Sequence, residues 1–304
     1  MYWRLPRNQV HLGRPCYLAI LNLTPDSFSD GGLFLDPVNA INRGRELLAQ
    51  GAHIIDIGAE STRPGSRPVA PDEEWARIAP VLIGLRKEHP DCTLSIDTRH
   101  PEVASLAINA GADIINDVTG FQDAEMLDLA SNSNCGLIAM RIRIIDGKIW
   151  MPEYSEQFNS WPRYGNRRTL PAVKRASQAK LDDIDPTPKK ADSAIQELKI
   201  VKERLLSAGI EPERILLDPG FGFGTTFLED QALWHALPKM PAKLEWPVER
   251  FCIGISRKRF VAHSFGVDKN TLLDAKTAEM HKNALNIGYK VFRTHAMTRS
   301  VRRQ

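Results

Sequence analysis

The chain has 304 residues, of which 42% are hydrophobic, which is enough for a large buried core and argues against disorder. Its net charge is only +3, so bulk charge gives no reason to expect a nucleic-acid-binding protein, and any anion site must be local. Because no apolar stretch approaches the ~18 residues of a membrane span, and the N-terminus lacks the apolar core of a signal peptide, we expect a cytoplasmic protein without a membrane partner.

Short apolar, β-branched runs recur along the chain after a first segment, residues 1–16, that is predicted to form a plug or hairpin over one end of the fold. Such runs are typical of parallel strands buried on both faces. The eight runs are YLAILNL (17–23), HIIDIGA (53–59), TLSIDT (93–98), DIINDV (113–118), LIAMRI (137–142), ILLDPG (215–220), FCIGIS (251–256) and KVFRTH (290–295).

Amphipathic segments with helical spacing separate these runs, and two of them begin at Pro71 and Pro101, as helix N-termini prefer. Strands that alternate with helices eight times predict a single α/β domain, residues 1–304, folded as a (β/α)8 TIM barrel. An open doubly wound sheet is the alternative. The six segments are VNAINRGRELLAQGA, PDEEWARIAPVLIGLRKEH, PEVASLAINAGA, AEMLDLASN, ADSAIQELKIVKERLLSAGI and LLDAKTAEMHKNALNIGY.

Two stretches depart from a plain barrel. Residues 143–190 form a long polar insertion after the fifth strand, which is predicted to be either mobile or a docked lid. The chain ends nine residues after His295, so the last outer helix is expected to be shortened. Apolar barrel surface left without cover there would predict a homodimer.

The cysteines and histidines indicate no metal or disulfide framework. The four cysteines form no CxxC pair, and three lie in or beside apolar runs, where free Cys is usually a small buried hydrophobe. HExxH is absent, and the eight histidines have no metal-ligand spacing.

Polar side chains follow almost every predicted strand, and in TIM barrels the chemistry lies at these C-terminal strand ends. One such residue is usually structural, but a convergent set must satisfy its members mutually or bind a ligand, since unpaired buried polar groups are costly. Acceptor-rich ends suit a flat heterocycle with N–H donors, and cationic ends suit phosphate. The acceptors are Asp97, Asn116 and Asp218, and the donors are Arg63, Lys258, Arg293 and His295.

Aromatic residues stand in two glycine-containing loops after strands. Phe28 lies in LNLTPDSFSDGG (21–32), and Phe221 and Phe223 lie in GFGFG (220–224). GFGFG matches neither the dinucleotide fingerprint nor the phosphate loop, and a tight strand-to-helix turn explains it equally well. Aromatic side chains in loops at a barrel mouth can also clamp a second flat ligand.

Six ordered motifs resemble those of the dihydropteroate synthase family, which are pterin-binding barrels of folate synthesis. The matches run from about residue 17 to 142 and from about 195 to 296. The motifs are LNLTPDSFSDGG, GAHIIDIGAESTRPGS, LSIDT, GADIINDVTG, ILLDPGFGFG and GISRKRF.

The resemblance implies a transferase that joins 6-hydroxymethyl-7,8-dihydropterin pyrophosphate to 4-aminobenzoate, with Mg²⁺ assisting departure of pyrophosphate. It also implies roles for matching positions, with Asp97, Lys258, Arg63, Arg293 and His295 as the catalytic set. The pterin would be held by Asp97, Asn116, Asp218 and Lys258, lined by Met140 and packed on by Arg293. The pyrophosphate side would be contacted by Arg293, His295 and Asn22, with Asn22 also near Mg²⁺.

Two loops would complete the site by closing over it. Thr62 and Arg63 belong to the second loop in the resemblance, and Phe28 in the first loop would cover the aminobenzoate ring. The aminobenzoate pocket would consist of Phe28, Pro64, Phe223 and Ser256. Loop closure would exclude water, which otherwise captures a carbocation-like carbon.

Several positions depart from the family pattern. Arg141 stands where the family usually has His, Thr225 where it has Lys, and Ala296 where it has Asp. Arg141 either adds positive charge for pyrophosphate or points outward. A divergent pterin-binding paralogue, with another acceptor amine or no turnover, is therefore the alternative function. A methyl-carrying pterin module of the corrinoid methyltransferase kind has no evident need for the SRK and TPDSFSDGG motifs.

Overall fold

The computed structural model describes residues 1–24, 36–61, 68–145, 148–149, 188–267 and 269–297. Its strands, in chain order, are β1 (Tyr2–Arg4), β2 (Gln9–His11), β3 (Cys16–Asn22), β4 (Ile54–Gly58), β5 (Thr93–Asp97), β6 (Ile114–Asp117), β7 (Gly136–Met140), β8 (Ile144–Ile145), β9 (Lys148–Ile149), β10 (Ile215–Asp218), β11 (Cys252–Ile253) and β12 (Val291–Thr294). Its helices are α1 (Pro37–Ala49), α2 (Pro71–Glu88), α3 (Pro101–Asn109), α4 (Ala124–Asn132), α5 (Pro188–Ser207), α6 (Phe227–Ala236), α7 (Met240–Leu244), α8 (Arg259–Phe265) and α9 (Asn270–Ile287).

Eight parallel strands form one closed barrel. They are arranged in the order β10-β7-β6-β5-β4-β3-β12-β11, and a parallel bridge between Leu217 and Phe251 joins the two ends of this order. The predicted TIM barrel is confirmed, and the open sheet is excluded because the strands close on themselves. Each of the eight predicted apolar runs overlaps one of these strands.

The six predicted amphipathic helices are present, whereas the sequence pattern does not predict α6, α7 or α8. The apolar residues of α6 do not recur with helical spacing. This helix buries polar Asp230 and Gln231 together with apolar Ala232 and Leu233. Its N-terminus is nonetheless well specified, since Thr226 caps the backbone N–H of Glu229 and the Glu229 carboxylate accepts from the Thr226 N–H.

The N-terminal segment closes one end of the barrel, as predicted for residues 1–16. Strands β1 and β2 pair antiparallel, and Trp3, Leu5 and Leu12 pack with side chains from the beginnings of the barrel strands, such as Leu18 and Ile114. The Trp3 indole N–H donates to the Arg214 carbonyl at 2.8 Å. This apolar floor leaves the opposite rim for polar side chains.

The cysteines behave as buried apolar side chains. Cys16, Cys135 and Cys252 are buried free thiols, whereas Cys92 is partly exposed. Burial raises the pKa of Cys16 to about 12, so this thiol stays protonated and unreactive at neutral pH.

Most of the predicted insertion, residues 143–190, lies outside the described residues. At its start β8 and β9 pair antiparallel, and α5 begins at Pro188. Residues 298–304 are also outside the described part, so the shortened last helix stays a prediction. Within the described ranges, no helix has the length and apolarity needed to cross a membrane.

Candidate active site

The predicted site residues on the strands lie at or near the C-terminal ends of their strands, at one rim of the barrel. Residues paired in neighbouring parallel strands are adjacent across the sheet, and alternate residues face the interior. The partners at this rim are Asn22 with Gly58, Gly58 with Asp97, Asp97 with Asn116, and Met140 with Asp218. Phe28, Thr62, Arg63 and Pro64 lie outside the described residues.

A buried ion network occupies the centre of this rim. Arg293, near the end of β12, donates from Nε to the Asp56 carboxylate at 2.6 Å and from Nη2 to the Asp97 carboxylate at 2.5 Å. Asp56 is fully buried and also accepts from the Ser95 hydroxyl at 2.6 Å and, more weakly, from the Asn116 amide. Asp56 thus binds Asn116 of β6 and Arg293 of β12 directly, and it is linked to Asp97 of β5 through Arg293.

Asp56 is a residue that the sequence interpretation misses. It lies in the middle of HIIDIGA, which the pattern indicates only as a buried strand. A carboxylate inside such a run is the available signal, because Asp is almost never fully buried unless it is paired.

Within this network, charge pairing opposes the effect of burial on the pKa values. Burial raises the pKa of Asp97, while the Arg293 guanidinium opposes that effect. Burial alone would lower the pKa of Arg293, but Asp56 and Asp97 outweigh it and raise that pKa above its ordinary value. The guanidinium therefore stays charged and fixed in orientation by two carboxylates.

Asp218 lies at the end of β10, where its side chain is held by the following turn. Its Oδ1 accepts from the Gly220 backbone N–H at 2.7 Å. A Cβ at Gly254 would lie 3.1 Å from Asp218 Oδ2, so glycine there leaves room for the carboxylate. Burial raises the pKa of Asp218, and Lys258 and the Gly220 N–H act in the opposite direction.

Lys258 follows β11 and contacts the loop after β10, residues 219–224, which we call the glycine loop. Its ammonium donates to the Phe221 carbonyl and lies 4.4 Å from the centre of the Phe223 ring. Burial lowers the pKa of Lys258 to about 8, against the opposing attraction of Asp218 and Asp230. A lysine so placed is charged at neutral pH and readily loses its proton in mild base.

Arg141 points away from the mouth and supports the glycine loop. The side chain is fully buried, and its guanidinium donates to the carbonyls of Pro219, Gly220 and Phe223 at 2.8–3.0 Å. It also pairs with Glu197 at 2.7 Å. The guanidinium is thus directed at the glycine loop and at α5.

The second departure, Thr225, has a structural partner as well. Its hydroxyl donates to Asp230 at 2.7 Å, and the same carboxylate accepts from the Gly222 N–H at 2.8 Å. Gly220 has a φ of +70°, and a Cβ there would lie 2.1 Å from the Arg141 carbonyl oxygen. Glycine is therefore required at position 220.

Ser256 and His295 lie together at the ends of two adjacent strands. The Ser256 hydroxyl is 3.1 Å from both the backbone nitrogen and Nδ1 of His295. Ser256 therefore orients the imidazole, a contact that the aminobenzoate assignment does not include. Within the described part of the chain, Ala296 bonds only through its backbone to the Thr294 hydroxyl, so Ser256 supplies the support that an acidic residue at 296 would offer.

Glu60 is among the polar residues that follow the second predicted strand, but the sequence gives it no specific role. It accepts from the Val69 backbone N–H at 3.1 Å and from two nitrogens of Arg99 at 2.7 and 2.9 Å. It therefore joins the two ends of the segment that carries Thr62 and Arg63. The acidic residue directly after a strand is the signal, but its partner is distant in the chain.

A magnesium site is compatible with the residues that the structure describes at the rim. Among the residues that the structure describes, no group of three or more His, Cys, Asp or Glu side chains is arranged to hold a metal ion. Mg²⁺ commonly takes one or two protein oxygens and completes its shell with substrate phosphates and water. The amide of Asn22, partly exposed at the end of β3, is an oxygen donor of this kind.

Known proteins share both the sequence and the fold. The family model for pterin binding enzymes matches residues 18–295. A dihydropteroate synthase of Neisseria meningitidis serogroup C is 31% identical over 297 residues, covering 96% of this chain and 92% of that protein.

Solved structures extend the comparison. Dihydropteroate synthase of Burkholderia cenocepacia, complexed with 7,8-dihydropteroate, is 29% identical with a TM-score of 0.75 and covers 99% of this chain and 92% of that one. The enzyme of Thermus thermophilus, in complex with 4-aminobenzoate, is 30% identical with a TM-score of 0.73 and covers 99% of this chain and 96% of that one.

The closed barrel, with its buried acceptors and cations at one rim, and the family match over most of the chain define the class of protein: the chain belongs to the pterin-binding enzymes. Its activity within that class is that of the dihydropteroate synthases, transferases that form the C–N bond of dihydropteroate in folate biosynthesis.

Proposed function

We propose that the chain joins 6-hydroxymethyl-7,8-dihydropterin pyrophosphate to 4-aminobenzoate, with release of pyrophosphate. The observation that carries this substrate assignment is the set of buried acceptors beside one lysine and one arginine at a single rim. In the reaction the methylene carbon–oxygen bond breaks and pyrophosphate leaves with the electron pair. A carbon–nitrogen bond then forms, and the amine loses a proton.

The pterin ring is assigned to the acceptor side of the rim. Asp97, Asn116 and Asp218 can accept from its ring and amino N–H groups, while Lys258 donates to its carbonyl oxygen. Burial makes these bonds selective, because a ligand lacking the matching donors would leave carboxylates unpaired in a site of low polarity. Met140, buried at the same level as Asp218, provides apolar lining.

Arg293 is assigned to one face of the pterin. Hydrogen bonds along its edge hold the plane of the guanidinium against Asp56 and Asp97. A planar cation fixed in this way offers a rigid surface for stacking on a flat ring. Asp56 is then a positioning residue, since it sets the orientation of both Arg293 and Asn116.

The pyrophosphate side is assigned to His295, Arg63 and Arg293, with Asn22 as a holder of Mg²⁺. Negative charge accumulates on pyrophosphate as the carbon–oxygen bond lengthens, and preorganised donors stabilise that charge. Mg²⁺, when bound, would supply further stabilisation of the leaving anion. Ser256 serves here by holding the His295 imidazole in place.

The second substrate is assigned to a pocket nearer the mouth, formed by Phe28, Pro64, Phe223 and Ser256. Its amine is neutral, so attack on the electron-poor methylene carbon needs no strong general base. Closure of the loops that carry Phe28 and Pro64 would exclude competing water. Glu60 would support this closure by holding the base of the second loop.

A single turnover assay tests the substrates and the metal together. Pyrophosphate release from the pterin substrate is measured with and without 4-aminobenzoate, and with and without Mg²⁺. We expect release that depends on both additions. A folded sample that releases no pyrophosphate in response to the amine would favour the divergent paralogue with another acceptor or no turnover.

The reaction should slow in mildly alkaline solution. Lys258 has a pKa lowered to about 8 by burial, so its hydrogen bond to the pterin carbonyl is charge-assisted below that pH and weaker above it, where the amine is neutral. We expect kcat/KM for the pterin substrate to fall as pH rises through about 8. A Lys258→Arg variant, which stays charged, should show no such fall, and an unchanged profile in both proteins would contradict the assignment.

A cytoplasmic homodimer is also proposed. Exposed apolar side chains on the outer helices, such as Leu272 on α9 and Leu228 on α6, support an interface on that side of the barrel. Light scattering at several protein concentrations would measure the mass in solution, and a monomer at all of them would exclude the dimer.

A further inference from the structure

Arg141 donates hydrogen bonds to three carbonyls of the glycine loop. Its Nε donates to the Pro219 carbonyl, and its Nη2 donates to the carbonyls of Gly220 and Phe223. Its backbone N–H donates to the Asp218 carbonyl, and its own carbonyl lies directly against the Cα of Gly220. A fully buried guanidinium is costly unless every donor is used, so this contact set is specific to one loop conformation.

The same loop is also held by Asp218 and Lys258, which are assigned to the pterin pocket, and by Asp230 of α6. The Gly220 N–H donates to Asp218, the Gly222 N–H donates to Asp230, and the Phe221 carbonyl accepts from Lys258. Arg141 and these three residues thus hold the same loop. The position of the Phe221 carbonyl, which sets where the Lys258 ammonium lies, depends on both.

An ion ladder anchors Arg141 to the outer helices. Glu197 of α5 pairs with Arg141 at 2.7 Å and with Arg143 at 3.0 Å, and Arg143 pairs with Glu229 of α6 at 3.1 Å. Glu197 offsets the charge of Arg141 and fixes its position relative to α5. The glycine loop is therefore tied to the barrel wall by a side chain that does not reach the mouth.

We propose that Arg141 is a positioning residue of this enzyme: it fixes the glycine loop, and through that loop it sets the placement of Lys258 and Phe223 in the pterin pocket. This inference rests on the proposed pterin assignment of Lys258. It gives a function to a residue that departs from the family pattern, and that function does not require contact with either substrate.

Arg141 also acts electrostatically on the pocket. The charged groups that act on Lys258 are Asp218 and Asp230, which raise its pKa, and Arg293 and Arg141, which lower it. Removal of the Arg141 charge should therefore raise the pKa of Lys258. The alkaline limb of the pH profile should move to higher pH, an effect that simple loss of folded protein would not produce.

The experiment compares Arg141→Met, Arg141→Lys and the matched control Arg143→Met, each as the full chain. Arg143 shares Glu197 with Arg141 and also pairs with Glu229 of α6. The measurements are kcat, KM for each substrate, the pH profile of kcat/KM, and thermal unfolding. Wild-type turnover is recorded first, so that failure of the proposed reaction is recognised before any variant is compared.

For Arg141→Met we expect KM for the pterin substrate to rise about tenfold, the size of effect that follows from loss of one net charged hydrogen bond. KM for 4-aminobenzoate should change much less, and the alkaline limb should move upward. Arg141→Lys should keep the pH profile but only partly restore KM, because one ammonium cannot reach all three carbonyls. Arg143→Met should stay within about twofold of wild type, because its ion pairs are with Glu197 and Glu229 on the outer helices.

The outcomes separate the role of Arg141 from the reaction itself. An active wild type with unchanged pterin KM and pH profile in Arg141→Met would overturn the role of Arg141. An equal rise of the pterin KM in Arg141→Met and Arg143→Met would overturn this role as well. The effect would then come from the ion pairs with the outer helices and not from the contacts of Arg141 with the glycine loop. If Arg141→Met does not fold, Arg141→Lys decides: wild-type pterin KM in that variant contradicts positioning by the three carbonyl contacts.

Discussion

Replacing Asp218 by Asn is expected to weaken binding of the pterin substrate about 100-fold, because hydrogen bonds to charged groups contribute roughly 1.5–3 kcal/mol each. The amide carbonyl of the new side chain could still accept from Gly220, so the turn after β10 should persist. Calorimetric titration with the pterin substrate alone measures this effect without any need for turnover.

Two controls accompany the Asp218→Asn measurement. Thermal unfolding should remain close to wild type, since the substitution keeps the volume of the side chain and the contact with Gly220. Affinity for the pterin that equals wild type would show that Asp218 does not hold this ring, whatever happens to turnover.

Replacing Arg293 by Met is expected to cause the largest loss of stability, roughly 3–5 kcal/mol in the free energy of unfolding. The substitution leaves Asp56, fully buried, and Asp97 without their shared cation. Urea unfolding at neutral pH measures the loss. Adding Asp56→Asn to this variant should recover part of it, since one uncompensated charge is then removed.

The stability deficit of Arg293→Met should depend on pH in a defined direction. Without the guanidinium, burial raises the pKa of Asp97 in the folded protein further above its value in the unfolded chain. The unfolded chain then releases protons more readily, so stability falls as pH rises through this interval. The deficit should therefore shrink toward acidic pH, and a deficit independent of pH would mean that the loss comes from packing.

The strands are predictable because parallel strands with both faces buried have nearly continuous apolar sequences. The same property explains why the sequence does not single out Asp56. A strand buried on both faces shows no alternation, so the sequence does not reveal that Asp56 faces the barrel interior and Arg293. Pairing across β4 and β12 becomes visible only when the barrel closes.

The candidate site is predictable where its residues terminate strands, and less so where contacts come from outside the barrel. Asp97, Asn116 and Asp218 follow from their positions at strand ends. The orientation of the Arg141 side chain cannot be predicted in this way. It depends on the glycine loop, 78 residues or more away in the chain, and on Glu197 of α5. The helix α6 is obscured in the sequence for a different reason: it buries the polar side chains of Asp230 and Gln231 beside apolar ones, so its spacing shows no apolar face.

The β1–β2 hairpin affects how ligands enter and leave the barrel. Trp3 and Leu12 pack against Leu18 and close the N-terminal end of the barrel among the residues that the structure describes. We therefore expect a ligand held deepest, against Asp97 and Asp218, to bind before one nearer the mouth and to leave after it. A compound bound nearer the mouth would therefore block release of the ligand below it. Its potency as an inhibitor should increase as the deeper site becomes occupied.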